Sequence, residues 1–114
     1  MTKAVILFAH GSRDPQWARP FERIAEQLKR RLPDTAVSVA YLEAMRPTLA
    51  EAVAALGSVD AIRVVPLFLG QGGHVKEDFP RLVSALRDPR ITLAKPIGED
   101  PAVIDAIANA IAKS

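Results

Sequence analysis

The chain has 114 residues, 49% of them hydrophobic and 25% charged, with 15 basic and 13 acidic side chains and a formal charge of +2. This balance excludes a disordered chain and predicts one domain spanning residues 1–114. Nucleic acid is excluded as a partner, because the charge is slight and aromatic residues, on which unpaired bases stack, make up only 5%. Cysteine is absent, which removes disulfides, thiolate metal sites and thiol catalysis.

Taken in chain order, the pattern alternates strand and helix. Residues 3–9 (Lys-Ala-Val-Ile-Leu-Phe-Ala) form a continuous apolar run, as expected of a strand buried on both faces. The run is too short for a membrane span and has no cleavage pattern, so the expectation is a cytoplasmic protein without a membrane partner. A helix over about 16–32 follows, with Phe21, Ile24, Ala25, Leu28 and Leu32 on one face; Pro20 belongs in its first turn, so regular helix begins nearer 18. The basic cluster Lys29-Arg30-Arg31 suits its last turn.

Residues 35–42 read as a second strand, and Pro47 opens a helix to about 56 that Gly57 stops. Residues 60–67 form the third strand, followed by a helix over about 75–87 that buries Val75, Phe79, Leu82, Val83 and Leu86. A short strand at 91–94 precedes a last helix, capped by Asp100-Pro101, with Val103, Ile104, Ile107 and Ile111 turned inward. Four βα units with right-handed crossovers predict an α/β, doubly wound, parallel four-stranded sheet of order 2-1-3-4, with helices on both faces.

The only two histidines, His10 and His74, each sit in a glycine-containing loop after an apolar run. In an open α/β sheet, ligands bind beyond the carboxyl ends of the strands, and neighbouring strands 1 and 3 would bring both imidazoles to one crevice. Imidazole is the commonest ligand for transition metals and titrates near neutrality, so the pair predicts a metal or proton-handling site. In the first loop, Gly11 permits close backbone approach to a ligand and Arg13 offers a planar fork to a carboxylate, or Asp14-Pro15 is simply a turn with Arg13 solvated. Gly70-Gln71-Gly72-Gly73 is a cradle whose amides suit anions, but it lacks the Gly-Lys-Ser/Thr ending and spacing of nucleotide loops; no nucleotide is expected. Glu43, just past the second strand, is either a third polar group in the crevice or an exposed loop residue.

The opening His10-Gly-Ser-Arg-Asp-Pro, Leu42-Glu43 with Arg46-Pro47-Thr-Leu, and Pro66-Leu-Phe-Leu-Gly-Gln-Gly-Gly-His74-Val-Lys-Glu-Asp78-Phe-Pro80 closely resemble the sirohydrochlorin chelatases, as does Ile97-Gly98-Glu-Asp-Pro101. The likeness covers essentially the whole chain and is to the short, single-domain form of the class II, ATP-independent cobaltochelatases. It implies insertion of a divalent metal substrate, Co²⁺ first and Ni²⁺ or Fe²⁺ as alternatives, into an acidic tetrapyrrole, in cobalamin- or siroheme-type biosynthesis. It also implies that His10 and His74 are the metal-binding and catalytic residues, and that Glu43 shares the catalytic site. Ser12, Arg13, Arg46, Lys76 and the backbone of Gly11 and residues 70–73 would then bind the substrate's carboxylates. Longer members carry two such domains, so a half-length chain implies a homodimer. Two alternatives stand beside this reading. One is a non-catalytic carrier of metal or tetrapyrrole. The other is a histidine phosphatase, whose site needs an arginine where Ala9 stands.

Overall fold

The computed structural model describes residues 2–70 and 72–114, and of residues 73–76 only the course of the backbone. Strand β1 (Lys3–Ala9) lies at the centre, and its residues alternate between two cores. Ala4, Ile6 and Phe8 point to one face, where Leu49, Ala52, Val53 and Phe79 meet them. Val5 and Leu7 point to the other, beside Ala25, Val37 and Val65. The sequence run is continuously apolar because each side chain has a layer to enter.

Beyond β1, Asp14 caps a 3-10 turn at Pro15–Ala18 by accepting from the Gln16 amide at 2.9 Å. Helix α1 (Arg19–Arg31) then covers the Val5/Leu7 face, with Pro20 in its first turn as expected. Strand β2 (Thr35–Tyr41) pairs parallel with β1, Ala9 opposite Tyr41. Helix α2 (Leu49–Leu56) begins at a reciprocal cap, in which Thr48 Oγ1 accepts from the Glu51 amide and Glu51 accepts from the Thr48 amide. Its cap is Thr48, one residue beyond Pro47, and Gly57 ends it at φ +66°. Strand β3 (Ala61–Pro66) pairs with the other edge of β1, Pro66 opposite Phe8. Helix α3 (Gly73–Ala85) returns over the Ile6/Phe8 face, strand β4 (Ile91–Leu93) adds to β3, and helix α4 (Pro101–Ala112) closes the chain. The sheet order is β2-β1-β3-β4, all parallel, as the alternating pattern predicts. No helix is long and apolar enough to cross a membrane among the described residues.

Four expectations are corrected. Helix α3 starts at Gly73, not 75, so His74 is its second residue and not part of the loop before it. Leu82 is exposed because α3 turns the stripe Phe79, Val83 and Leu86 to the core and Leu82 lies outside it. The inward face assigned to α4 is not inward: Ile104, Ile107 and Ile111 are 58%, 39% and 68% exposed and Val103 is half-buried. The helix packs mainly on the 3-10 turn at Ile97–Glu99 and leaves the sheet, so among the described residues no helix roofs the β3 side of the Val5/Leu7 face. For the same reason the outer flank of α1 lies open, with Ile24 and Leu32 at 45% and 39% exposure instead of buried.

Candidate functional site

Because the strands are parallel, the segments leaving β1, β2 and β3 emerge at one rim. Their pairing continues past the strands: Leu42 N–H donates to Ala9 C=O at 2.9 Å, Glu43 N–H to His10 C=O at 3.1 Å, and Leu67 N–H to Phe8 C=O at 2.9 Å. The exit of β1 is therefore held on both sides by backbone bonds, and His10 stands between the exits of β2 and β3.

The register of β1 with β2 carries Glu43 alongside His10. Its Oε1 lies 2.9 Å from His10 Nε2, with both side chains open to solvent. A carboxylate only accepts, so in a neutral imidazole the hydrogen sits on Nε2 and the lone pair on Nδ1. A carboxylate behind one imidazole nitrogen fixes the ring and raises the basicity of the other, which is the arrangement found behind metal-binding histidines. The sequence left Glu43 between a crevice group and a loop residue; the structure brings it to His10.

Two backbone features hold this pair. Gly11 has φ +101°, and a Cβ there would overlap the carbonyl oxygen of Glu43. The glycine thus serves close packing of two backbone segments, where the sequence suggested close approach to a ligand. Ala44 has φ +64°, and Met45 N–H donates back to Glu43 C=O at 2.8 Å, a tight three-residue turn with a left-handed alanine at its centre. A non-glycine residue in that conformation stores strain, and strain of this kind clusters at functional sites.

From the β3 side, Phe68 meets the His10 ring edge-on, centroids 6.5 Å apart. Phe68 in turn contacts Phe79 of α3 at 4.8 Å, and Phe79 contacts Phe8 of β1 at 4.4 Å. Phe79 is 1% exposed, so this aromatic chain pins α3 to the strand that delivers His10. Phe68 is the residue that sequence reasoning missed. Its signal was its place two residues beyond Pro66, where ladder pairing ends but the apolar run continues. His74 sits in the first turn of α3, after the exit of the strand beside β1. Its side chain, those of Gln71 and Lys76, and the contacts of Gly73 lie outside the described residues.

The other expected residues divide. Ser12 Oγ accepts from the Asp14 amide at 3.1 Å and shapes the turn after His10. Arg13 is exposed at the rim. Arg46 is turned to Glu51, donating from Nε at 3.2 Å and also pairing through Nη2, although its side chain stays exposed. This contact holds the Glu51 carboxyl at about 2, well below its ordinary value, with the Thr48 amide helping. Gly70 and Gly72 are exposed, and Gly72 is the N-cap residue of α3. Among the described residues no three carboxylate or imidazole groups converge as a closed metal site.

Gly98 ties the last strand-to-helix connection to the same rim. Its N–H donates to Phe68 C=O at 2.9 Å, and a Cβ there would overlap the backbone of Leu69. The start of α4 is therefore clamped against the segment that leads from β3 toward His74.

Comparison with known proteins agrees with this fold. A sirohydrochlorin cobaltochelatase of Methanopyrus kandleri is 32% identical over 134 aligned positions, covering 95% of this chain and 94% of its own. The solved CbiX protein of Marinobacter aquaeolei VT8 superposes with a TM-score of 0.81 at 33% identity, covering 97% of this chain and 95% of that one. The sirohydrochlorin chelatase SirB of Bacillus subtilis subspecies spizizenii, solved in complex with cobalt, superposes with a TM-score of 0.77 at 30% identity. There the match covers 99% of this chain but 51% of SirB. Residues 4–114, all but the first three, match the CbiX family, and the chain belongs to it.

Proposed function

We propose that this chain inserts a divalent metal ion, Co²⁺ first among candidates, into sirohydrochlorin. Ni²⁺ and Fe²⁺ are the alternatives. The reaction is M²⁺ plus the free macrocycle giving the metal complex and two protons. Those protons leave the pyrrole nitrogens, and their acceptors must be near the ion. The observation that carries the reading is the His10–Glu43 pair at the carboxyl rim of β1, next to the exit of the strand that leads to His74, in a chain of the CbiX family.

Glu43 holds the His10 ring so that Nδ1 presents its lone pair outward. That nitrogen and the His74 imidazole supply two neutral donors and leave the remaining metal positions to the incoming macrocycle nitrogens. As the ion passes to the macrocycle, the vacated His10 nitrogen accepts one pyrrole proton, the adjacent carboxylate stabilises the imidazolium so formed, and the second proton passes to solvent water at the open rim. Arg13, Ser12, Lys76 and the amides of Gly11 and residues 70–73 bind the substrate's carboxylates, and Arg46 joins them by exchanging the Glu51 carboxylate for one of the substrate's. Metal binding to a good chelator runs downhill, so no nucleotide is required. A homodimer, one domain per chain, completes a unit of SirB's length, and the cytoplasmic setting expected from the sequence belongs to the same proposal.

The test is anaerobic turnover of sirohydrochlorin with Co²⁺, Ni²⁺ and Fe²⁺, followed by the absorbance change on metallation. His10→Ala should lower the rate at least about 100-fold, the low end for losing a positioned proton acceptor, with unfolding unchanged because the ring is half-exposed. Glu43→Gln, which leaves a hydrogen-bond partner but no charge, should cost about 10–100-fold. Tight binding of the macrocycle with no acceleration over the protein-free rate would make the chain a carrier instead.

A further inference from the structure

His10 stands two residues beyond Phe8, on the side of the sheet that Ile6 and Phe8 share. The β1–β3 register places Pro66 opposite Phe8, and the Leu67 N–H to Phe8 C=O bond carries it onward, so Phe68 lies level with His10. Phe68 packs on the core of that side, its ring at 84° to the ring of Phe79. Phe79 is fully buried and rests on Phe8. Against this backed ring the half-exposed His10 imidazole stands at 70°, with centroids 6.5 Å apart, within the range of an edge-on aromatic pair.

Glu43 alone does not fix that imidazole. The ring turns about its Cβ–Cγ bond, and Nε2 lies closer to the line of that bond than Nδ1 does. Modest turns therefore leave Nε2 within reach of Glu43 Oε1, 2.9 Å away, because a hydrogen bond tolerates bending down to about 120°. The Nδ1 lone pair lies in the ring plane and points away from the bond axis, so it swings through almost the whole turn. An ion held by Nδ1 sits along that lone pair. Its place is set by the ring plane, which the Glu43 contact leaves free.

We infer that Phe68 is a positioning residue for the His10 donor: it sets the plane of the ring, and so the direction in which Nδ1 presents a metal ion, while Glu43 sets the tautomer. The inference rests on the chelatase function proposed above and adds a second determinant to its donor geometry. The chain Phe8–Phe79–Phe68 extends the effect. Helix α3, whose second residue is His74, packs on the same ring that orients His10, so the segments carrying both histidines share one reference.

The chain has two histidines, so the imidazole signals of the metal-free protein can be assigned by nuclear magnetic resonance with His74→Ala. Phe68→Leu keeps an apolar side chain against Phe79 but removes the flat ring, and Phe68→Tyr keeps the ring. In Phe68→Leu the His10 ring protons should lose the ring-current shift and move toward free-imidazole positions. Co²⁺ affinity without macrocycle, read from the visible absorption of the bound ion, should fall about tenfold, the low end for losing a group that orients a metal-binding histidine. The kcat for metallation should fall by a similar factor while KM for sirohydrochlorin holds, since Phe68 is not among the groups that bind its carboxylates. Phe68→Tyr should restore all three. Val53→Ala, in the same core but on α2, should lower the urea midpoint and leave the His10 signals and Co²⁺ affinity as in wild type. Unchanged His10 signals and Co²⁺ affinity in Phe68→Leu, or equal changes in Val53→Ala, make Phe68 a packing residue only and overturn the inference. If both readouts shift in Phe68→Leu alone but the wild-type protein does not speed metallation, the chelatase function falls and the positioning of His10 by Phe68 stands.

Discussion

Replacing Gly11 by alanine should damage stability and turnover together, and the structure says by how much. At φ +101° an L-residue is strained, and a left-handed conformation costs about 1–2 kcal/mol. The new Cβ would also collide with the Glu43 carbonyl, which is backbone and cannot swing aside. The turn after His10 must then lift from the segment after β2, weakening the 3.1 Å bond from Glu43 N–H to His10 C=O, which contributes about 1 kcal/mol. The sum is a loss of about 2–3 kcal/mol, read as a shift of the urea midpoint at unchanged slope. The same displacement spoils the His10–Glu43 contact, and a misplacement near 1 Å costs on the order of 100-fold in rate. Gly57→Ala is the control. It too has positive φ, +66°, but open space around it and no part in the rim, so it should cost about 1 kcal/mol and leave metallation unchanged. If Gly11→Ala unfolds and turns over like wild type, the packing account of the rim is wrong.

Ala44→Gly should stabilise the protein slightly: relief of about 1–2 kcal/mol outweighs the roughly 0.5–1 kcal/mol of added freedom in the unfolded chain, as thermal unfolding would show. Phe79→Ala should cost about 3–5 kcal/mol and, by loosening α3, lower turnover as well, both readable in parallel on the same preparation. Asp88 is bound by Arg90, from Nε at 3.0 Å and Nη2 at 2.7 Å, while Arg90 Nη1 reaches the carbonyls of Gly57 and Val59. The guanidinium, with the Arg90 amide, holds the Asp88 carboxyl at about 2, below its usual 3.8. Folding therefore gains from this group fully above the ordinary value, and the gain disappears as pH falls toward 2. Asp88→Asn should lower stability at neutral pH and flatten the acid limb of the stability curve over that window.

The strands were legible because a strand between two packed layers needs apolar side chains on both faces, as in the run Ala4–Ala9, and Val64 and Val65 keep that pattern in β3 although Arg63 beside them is exposed. Their adjacency followed from crossover handedness, and with it the meeting of the segments after β1 and β3. The side-chain partnership of Glu43 with His10 was not legible, since it depends on register: Ala9 opposite Tyr41 carries the two residues level. The start of α3 was misplaced because three glycines in four residues look like loop, although Gly72 serves as the cap. The largest miss, α4, has a particular cause. Helical periodicity says which side of a helix is apolar, but not whether its own sheet or another surface receives it.

Gly98 gives the rim an anchor in an unexpected quarter. Because it has no side chain, the hinge of the terminal helix rests directly on the peptide that precedes the glycine cradle, with no slack between them. Whatever restrains that helix therefore stiffens the approach to His74, and whatever releases it leaves the approach looser.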